Sequence, residues 1–423
     1  MFYNMYNKNK NPRRGPASSA GKPAQKAAST RHAGARQAQP ARFANAGRGR
    51  RGAFTGSYID PKLFVNKAVA LQTIEEEKPT NLFSDFAISD FLKQAIAKRG
   101  YLHPTDIQDK TIPYILKGHD VVGLANTGTG KTGAFLIPLI DKIIGNPREK
   151  VLIVVPTREL ALQIQDEFIA LTQGLRIHSV VTVGGTNIRP QISRLKSRYN
   201  VIIGTPGRLK DLINRKDLIL TDFANVVLDE ADRMLDMGFI HDVKLLLSLV
   251  AHQRQILFFS ATLSTEIERL VQDFLKDPVT ISIRKQQTSG NVDQDVVKVE
   301  KGQDKIEILT TLLAQAHFQK ILIFSRTKRG ADKLSKILKL KGFKSEAIHG
   351  NKSQAQRQRA LNMFKNDSTE ILVATDVAAR GLDIPDVSHV INFDIPATYE
   401  DYIHRIGRTG RANKTGSALT FIE

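Results

Sequence analysis

The densest chemistry in the chain is the run Ala125-Asn126-Thr127-Gly128-Thr129-Gly130-Lys131-Thr132. It follows an apolar stretch, Val121–Leu124, and precedes a helical pattern bearing Phe135, Leu136, Leu139 and Ile143. Glycines at such a strand-to-helix turn let backbone N–H groups point inward and cradle phosphate oxygens. Lys131 can then reach the β- and γ-phosphates, and the Thr132 hydroxyl can hold Mg2+. The strict P-loop pattern has glycine where Ala125 stands, so the flanking strand and helix carry part of the argument. Further along, Val226-Val227-Leu228-Asp229-Glu230-Ala231-Asp232 is an apolar strand ending in acids. There Asp229 suits Mg2+ and Glu230 suits orienting and deprotonating an attacking water. Taken alone, Asp-Glu after a strand is as well explained by a solvated helix start. The charge developing on a transferred phosphoryl group also needs cations. His404-Arg405-Ile406-Gly407-Arg408-Thr409-Gly410-Arg411 offers three arginines far from the acidic strand. Arginines arriving from another lobe couple hydrolysis to closure.

These residues need a scaffold, and from about Phe83 short apolar strands alternate with helical periodicity. Strands are expected at Val121–Leu124, Val151–Val155, Val180–Val183, Val201–Ile203, Val226–Leu228 and Ile256–Phe259, with a helix at Arg158–Gln173. A second block has strands at Ile321–Phe324, Ile371–Val373 and Val390–Phe393, and its last strand ends the chain at Glu423. Alternation of this kind predicts parallel sheets wrapped by helices. The blocks read as copies: Val151–Ala161 (VLIVVPTRELA) matches Ile321–Ala331 (ILIFSRTKRGA) at an offset of 170, and VIIGT at 201–205 matches ILVAT at 371–375 at the same offset. Two matches in one register, each an apolar strand ending near a threonine, predict a duplicated α/β lobe. The second block has neither the glycine-rich run nor the acidic strand end, so phosphates belong primarily to the first.

Outside the blocks, residues 1–59 hold 12 Lys and Arg and no Asp or Glu, so they supply +12 of the +20 net charge. Their Ala, Gly, Pro, Gln and Ser content buries almost nothing and predicts a disordered basic tail. A polyanion, most simply nucleic acid, is the partner such charge suits, against the plainer reading of a solubilising tail. Residues 60–80 form a connecting segment with an apolar patch (Leu63, Phe64, Val65, Val69, Leu71), 81–283 the first lobe, 284–292 a polar linker and 293–423 the second lobe. The absence of cysteine excludes disulfides and thiolate metal sites and suits a reducing cytoplasm. No apolar run approaches the ~20 residues that span a bilayer, so no membrane association is expected.

From about Phe83 onward the chain resembles the DEAD-box RNA helicases, with their motifs in order. Gly100-Tyr101-Leu102-His103-Pro104-Thr105-Asp106-Ile107-Gln108, with Phe83 upstream, resembles the adenine-reading Q motif. A glutamine amide matches the N6/N7 edge of adenine, and Tyr101 is placed to stack on the ring. Pro156-Thr157-Arg158, Gly184-Gly185 and Thr205-Pro206-Gly207-Arg208 resemble the first lobe's RNA-backbone motifs. Phe324-Ser325-Arg326, the pair Gln354 and Arg357, and Thr375 resemble those of the second. Ser260-Ala261-Thr262 resembles the motif that couples ATP state to RNA binding, and Asp232, His404 and Arg405 join it as expected interdomain couplers. Gly381 and Asp383 fall in the stretch that holds the ATP ribose, and Arg408 and Arg411 would be the two fingers.

The resemblance implies two tandem RecA-like domains, each a mostly parallel sheet flanked by helices. It implies an ATPase that uses ATP and Mg2+, grips single-stranded RNA without reading sequence, and pries apart short duplexes. An ATP-gated RNA clamp and a DNA-directed relative are the alternatives. The partners it admits are those of ribosome assembly or RNA decay. The run His349–Gln354 resembles the bacterial RhlE-like subgroup. Two departures stand out: the closing helix usual after the last strand is missing or lies beyond a fragment's end, and the basic tail is N-terminal.

Overall fold

A computed structural model describes residues 60–67, 81–126, 128–283, 291–315, 317–379, 384, 387–410 and 415–423. The expected tail 1–59, most of the expected linker, Thr127, Gly381, Asp383 and Arg411 lie outside the described residues.

Strands β1 (Val121–Leu124), β2 (Val151–Val154), β3 (Ser179–Thr182), β4 (Val201–Gly204), β5 (Asn225–Leu228), β6 (Gln255–Ser260) and β7 (Val279–Ser282) form one sheet. Strands β8 (Val292–Lys298), β9 (Ile321–Phe324), β10 (Ser345–Ile348), β11 (Ile371–Ala374), β12 (His389–Asn392) and β13 (Gly416–Ile422) form another. The orders are β3-β4-β2-β5-β6-β1-β7 and β10-β11-β9-β12-β13-β8, and every ladder is parallel.

Parallel strands covered on both faces must be apolar on both, and the pleat then divides them. Val151, Ile153, Val227 and Leu257 face one core of the first sheet, while Leu152, Val154, Val226 and Ile256 face the other. The second sheet repeats the division, with Leu322 and Leu372 on one side and Ile321 and Ile371 on the other. The strands anticipated from sequence are all present. Those not anticipated, β7, β8 and β10, all lie at sheet edges, where one face or side is less covered and the apolar signal thins.

The duplication holds at the level of topology. The order β4-β2-β5-β6 is repeated by β11-β9-β12-β13. Thr157 and Thr327 cap equivalent helices, their hydroxyls accepting from Leu160 N (3.3 Å) and Gly330 N (2.9 Å). In the first lobe Asp120 fixes the strand that feeds the glycine-rich run: its carboxylate accepts from Ile256 N and Lys276 N, both at 2.7 Å. Among the described residues no helix is long and apolar enough to cross a membrane.

Candidate active site

The loop after β1 turns through two left-handed glycines, Gly128 (φ 83°) and Gly130 (φ 92°), into the helix Lys131–Gly145. A Cβ on Gly130 would stand 2.7 Å from both Gln108 Nε2 and Thr105 Oγ1. Only glycine lets the loop approach the Thr105–Gln108 turn this closely. Gln108 Nε2 donates to Gly130 O (2.9 Å) and Gln108 Oε1 accepts from Thr105 N (2.9 Å). An amide has two donor hydrogens and two acceptor lone pairs, so one of each remains for a ligand. Lys131 is buried, its ammonium donating to Ala125 O at 2.7 Å, and Ala125 N donates to Ser260 O at 2.9 Å. Thr129 Oγ1 donates to Asn126 O at 2.8 Å. Thr132 begins the helix beside Lys131.

The acids end β5 against this loop. Asp229 is buried; burial first, and then the Glu230 and Asp232 carboxylates, push its pKa up to about 6 against the pull of Lys131. Carboxylates crowded this way without bulk water are short of positive charge, which is the environment a divalent cation relieves. Thr132 and Asp229, the expected ligands, would supply only two oxygens, as suits a metal that keeps waters and substrate oxygens around it. Glu230 has a left-handed backbone (φ 51°), unusual for a residue with a side chain. Its carboxylate accepts from Arg233 Nη1 at 2.6 Å, a buried pair. Sequence reading passed over Arg233, although the three-residue spacing on a helix was available to find it. Asp232 turns the other way: Oδ2 accepts from Ala261 N (2.9 Å), Thr262 N (3.0 Å) and Thr262 Oγ1 (3.3 Å), while Asp232 N donates to Ser260 Oγ (3.3 Å). The acidic motif and Ser260-Ala261-Thr262 therefore form one hydrogen-bonded unit.

A second cluster is cationic. The Arg158 guanidinium lies over Gly185, where a Cβ would sit 2.0 Å from Nη1. Gly185 has φ 69°, so the turn and the close approach both require glycine. Arg208 donates to Thr186 O (3.0 Å), and Thr205 Oγ1 accepts from Gly184 N (3.4 Å). From the second lobe Arg357 Nη2 meets Glu159 Oε2 at 2.9 Å, and Gln354 Nε2 donates to Glu159 Oε1 at 3.3 Å. Burial, then the guanidiniums of Arg357 and Arg208, lower the pKa of Arg158, with Glu159 opposing. Cations from both lobes thus converge on one place. Arg326 is exposed, its backbone N–H donating to Asp394 Oδ2 (2.7 Å), which also accepts from Ser325 Oγ (3.0 Å). Asp394 lies 68 residues from Arg326, and no local pattern announced it. Pro206 and Gly207 open the helix Pro206–Asn214, whereas Pro156 and Thr375 are buried at strand ends.

Three of the expected site residues lie inward in this structure. Phe324 is 2 % exposed beneath the Arg405 guanidinium, 5.0 Å from its ring centre, so its side chain lies within the second lobe. Phe83 is 4 % exposed in the core beside Phe86, and its N–H donates to Leu102 O at 3.4 Å. Arg405 ties elements of the second lobe together. It grips Asp376 through Nε (2.6 Å) and Nη2 (2.8 Å) and donates from Nη1 to Asp394 O (2.7 Å). Tyr101 remains half exposed, with the Arg99 guanidinium 5.5 Å over its ring. His404 is half buried, and buried Arg408 folds back to donate from Nε to His404 O (3.3 Å).

Two parallel lobes of one design, with a phosphate loop and acidic strand end in the first alone, define a tandem RecA-like nucleotide hydrolase. Comparison with known proteins narrows the class. The family model for DEAD/DEAH box helicases matches residues 105–270, and that for the helicase conserved C-terminal domain matches 304–413. The DEAD-box ATP-dependent RNA helicase CshA of Bacillus subtilis is 46% identical over 345 residues, covering 81% of this chain and 70% of the relative. Among solved structures, S. cerevisiae Dbp5 bound to RNA and ADP BeF3 is 30% identical with a TM-score of 0.71, covering 81% of this chain and 89% of that one. Mss116p bound to ssRNA and AMP-PNP is 33% identical with a TM-score of 0.73, covering 85% and 77%. The chain belongs to the DEAD-box ATP-dependent RNA helicases.

Proposed function

We propose that this chain hydrolyses ATP while its two lobes hold one strand of RNA, and that the strain of that grip separates short duplexes. The observation that carries the RNA half is the convergence of Arg158 and Arg208 from one lobe with Arg357 from the other around the single carboxylate of Glu159. Such an excess of partly buried cations suits a phosphate backbone, which needs no particular base sequence. RNA-bound relatives of the same fold support the choice of ligand.

For the ATP half, Lys131 exchanges the Ala125 carbonyl for phosphate oxygens, and the spare donor and acceptor of Gln108 meet the adenine edge. Thr132 and Asp229 would hold Mg2+, which when bound would neutralise charge on the β- and γ-phosphates. Glu230 accepts the proton of the attacking water, and Arg233 keeps its carboxylate oriented until then. Asp232 passes the state of this site to Ser260-Ala261-Thr262 through its three accepted bonds. Arg408 and Arg411 bring positive charge from the second lobe.

Strand displacement on short RNA and DNA duplexes of equal sequence tests the reading. RNA-stimulated ATP turnover with displacement of the RNA duplex alone is expected. Displacement of DNA duplexes, or RNA-stimulated turnover with no displacement, contradicts it in favour of a DNA-directed enzyme or an RNA clamp.

A further inference from the structure

The connecting segment that precedes the first lobe in sequence is seated on the second. Pro61–Phe64 is a 3-10 turn, closed by Leu63 N donating to Asp60 O at 3.0 Å. Its neighbours Leu63 and Val65 are about half exposed, yet Phe64 is 1 % exposed. The Phe64 ring enters the second lobe's core beside Val292 and Ala418, with its centre 4.7 Å from that of Tyr402. Two residues on, Asn66 forms an antiparallel bridge with Gln294 of β8: Asn66 N donates to Gln294 O (3.0 Å) and Gln294 N to Asn66 O (2.7 Å). Gln294 is itself buried, and its Oε1 accepts from the Tyr402 hydroxyl at 2.9 Å. Both the ring and the bridge therefore end on one residue, Tyr402. Edge strand β8 has β13 as its ladder partner, so the bridge also covers an edge that would otherwise be open to pairing.

Tyr402 lies on the helix Tyr399–Ile406, which carries His404 and Arg405 and leads directly to Arg408. We propose that residues 60–66 are an intramolecular clip on the second lobe, and that Phe64 is a positioning residue for the His404–Arg408 stretch, acting through Tyr402. Both family models begin beyond this segment, at residues 105 and 304, so neither assigns it a role. The clip fixes the rotation of a helix whose far end must present a guanidinium, and small displacements of such a group cost turnover steeply. Its ring contact and its bridge both fall on the second lobe, so substrate affinity is not where its loss should appear. The consequence for turnover rests on the assignment of Arg408 to the reaction; the clip itself does not.

Two readouts on the full chain keep these apart: amide hydrogen exchange along residues 399–406, and kcat and KM for ATP at saturating RNA well below each variant's melting temperature. In Phe64→Ala, exchange in that helix should accelerate while the helix Lys328–Leu340 stays protected. The kcat should fall by about tenfold, with KM changed less than about twofold. Phe64→Leu, which refills the site, should restore most of the rate. Asn66→Pro keeps the ring but removes the N–H that donates to Gln294, and should give an intermediate effect, which serves if Phe64→Ala does not fold. Arg408→Ala is the control. Unchanged exchange and unchanged kcat in folded Phe64→Ala or Asn66→Pro overturn the clip. Faster exchange with normal kcat in both Phe64→Ala and Arg408→Ala leaves the clip standing and removes Arg408 from the mechanism.

Discussion

At the residue scale the site is a set of polar groups already committed to one another, which ligands must redirect. Lys131 illustrates this: its ammonium is buried on the Ala125 carbonyl, which in the proposed function it exchanges for phosphate. Lys131→Ala should lower ATP turnover by about a hundredfold or more, and near-normal turnover in a folded variant rules the assignment out. Gln108 is committed twice, to Gly130 O and Thr105 N, so Gln108→Ala should have two effects. The preference for ATP over GTP should relax, and KM for both nucleotides should rise because the phosphate loop loses a support. Competition between the two nucleotides checks it; an unchanged preference ends the claim that Gln108 reads adenine. The identity of these residues was legible because backbone geometry at a phosphate loop demands glycine, and demands it at fixed spacing. What was not legible is direction. Phe324 and Arg405 sit in the expected strings but point into the second lobe, since a strand end alternates faces and a string of letters does not say which face is wet.

At the element scale most of the expected first-lobe site residues share one position, at or just after the C-terminal end of a parallel strand. The phosphate loop follows β1, Arg158 follows β2, Asp229 follows β5 and Ser260 ends β6. Parallel strands put all these ends on one rim, where open α/β sheets bind ligands. Apolar runs of four or five residues made the central strands legible. The edge strands β7, β8 and β10 were missed because an edge tolerates polar residues, Thr and Ser in β7, Asp and Gln in β8 and Glu in β10. Strand β12 carries a stability prediction. Burial, and then the neighbouring His317, push the pKa of His389 from its ordinary 6.5 down to about 4. The folded chain keeps this imidazole neutral while the unfolded chain protonates it near its ordinary value. That contribution is therefore complete above about pH 6.5 and is lost as pH falls from there toward 4. By about pH 5 the loss should be on the order of 1–2 kcal/mol. Urea unfolding of the parent and His389→Phe across that range measures it. Equal slopes of stability against pH in the two proteins would contradict it.

At the scale of the whole molecule two features matter, and they were unequally legible. The duplication could be read because both copies kept strand, threonine cap and spacing. The seating of Phe64 on the second lobe could not, because one phenylalanine in a polar segment carries no sign of which distant core it fills. The basic residues 1–59 bear on affinity through counterions. If several meet phosphates, deleting them should weaken RNA binding at low salt and flatten its dependence on log salt, by about 0.7 per lost contact. Turnover at saturating RNA should barely change. Affinity of full and shortened chains across a salt series decides this, and identical slopes would mean the tail does not meet RNA.

If two lobes bind ATP and RNA together, each ligand must raise affinity for the other. Glu230→Gln isolates that coupling by slowing hydrolysis while leaving ATP to bind. The direct measurement is the dissociation constant of this variant for a short single-stranded RNA, with and without saturating ATP and Mg2+. Binding tighter by about ten- to a hundredfold with ATP is the result expected. Equal affinity in the two conditions would mean that the sites are uncoupled and that the lobes do not close on RNA in response to ATP.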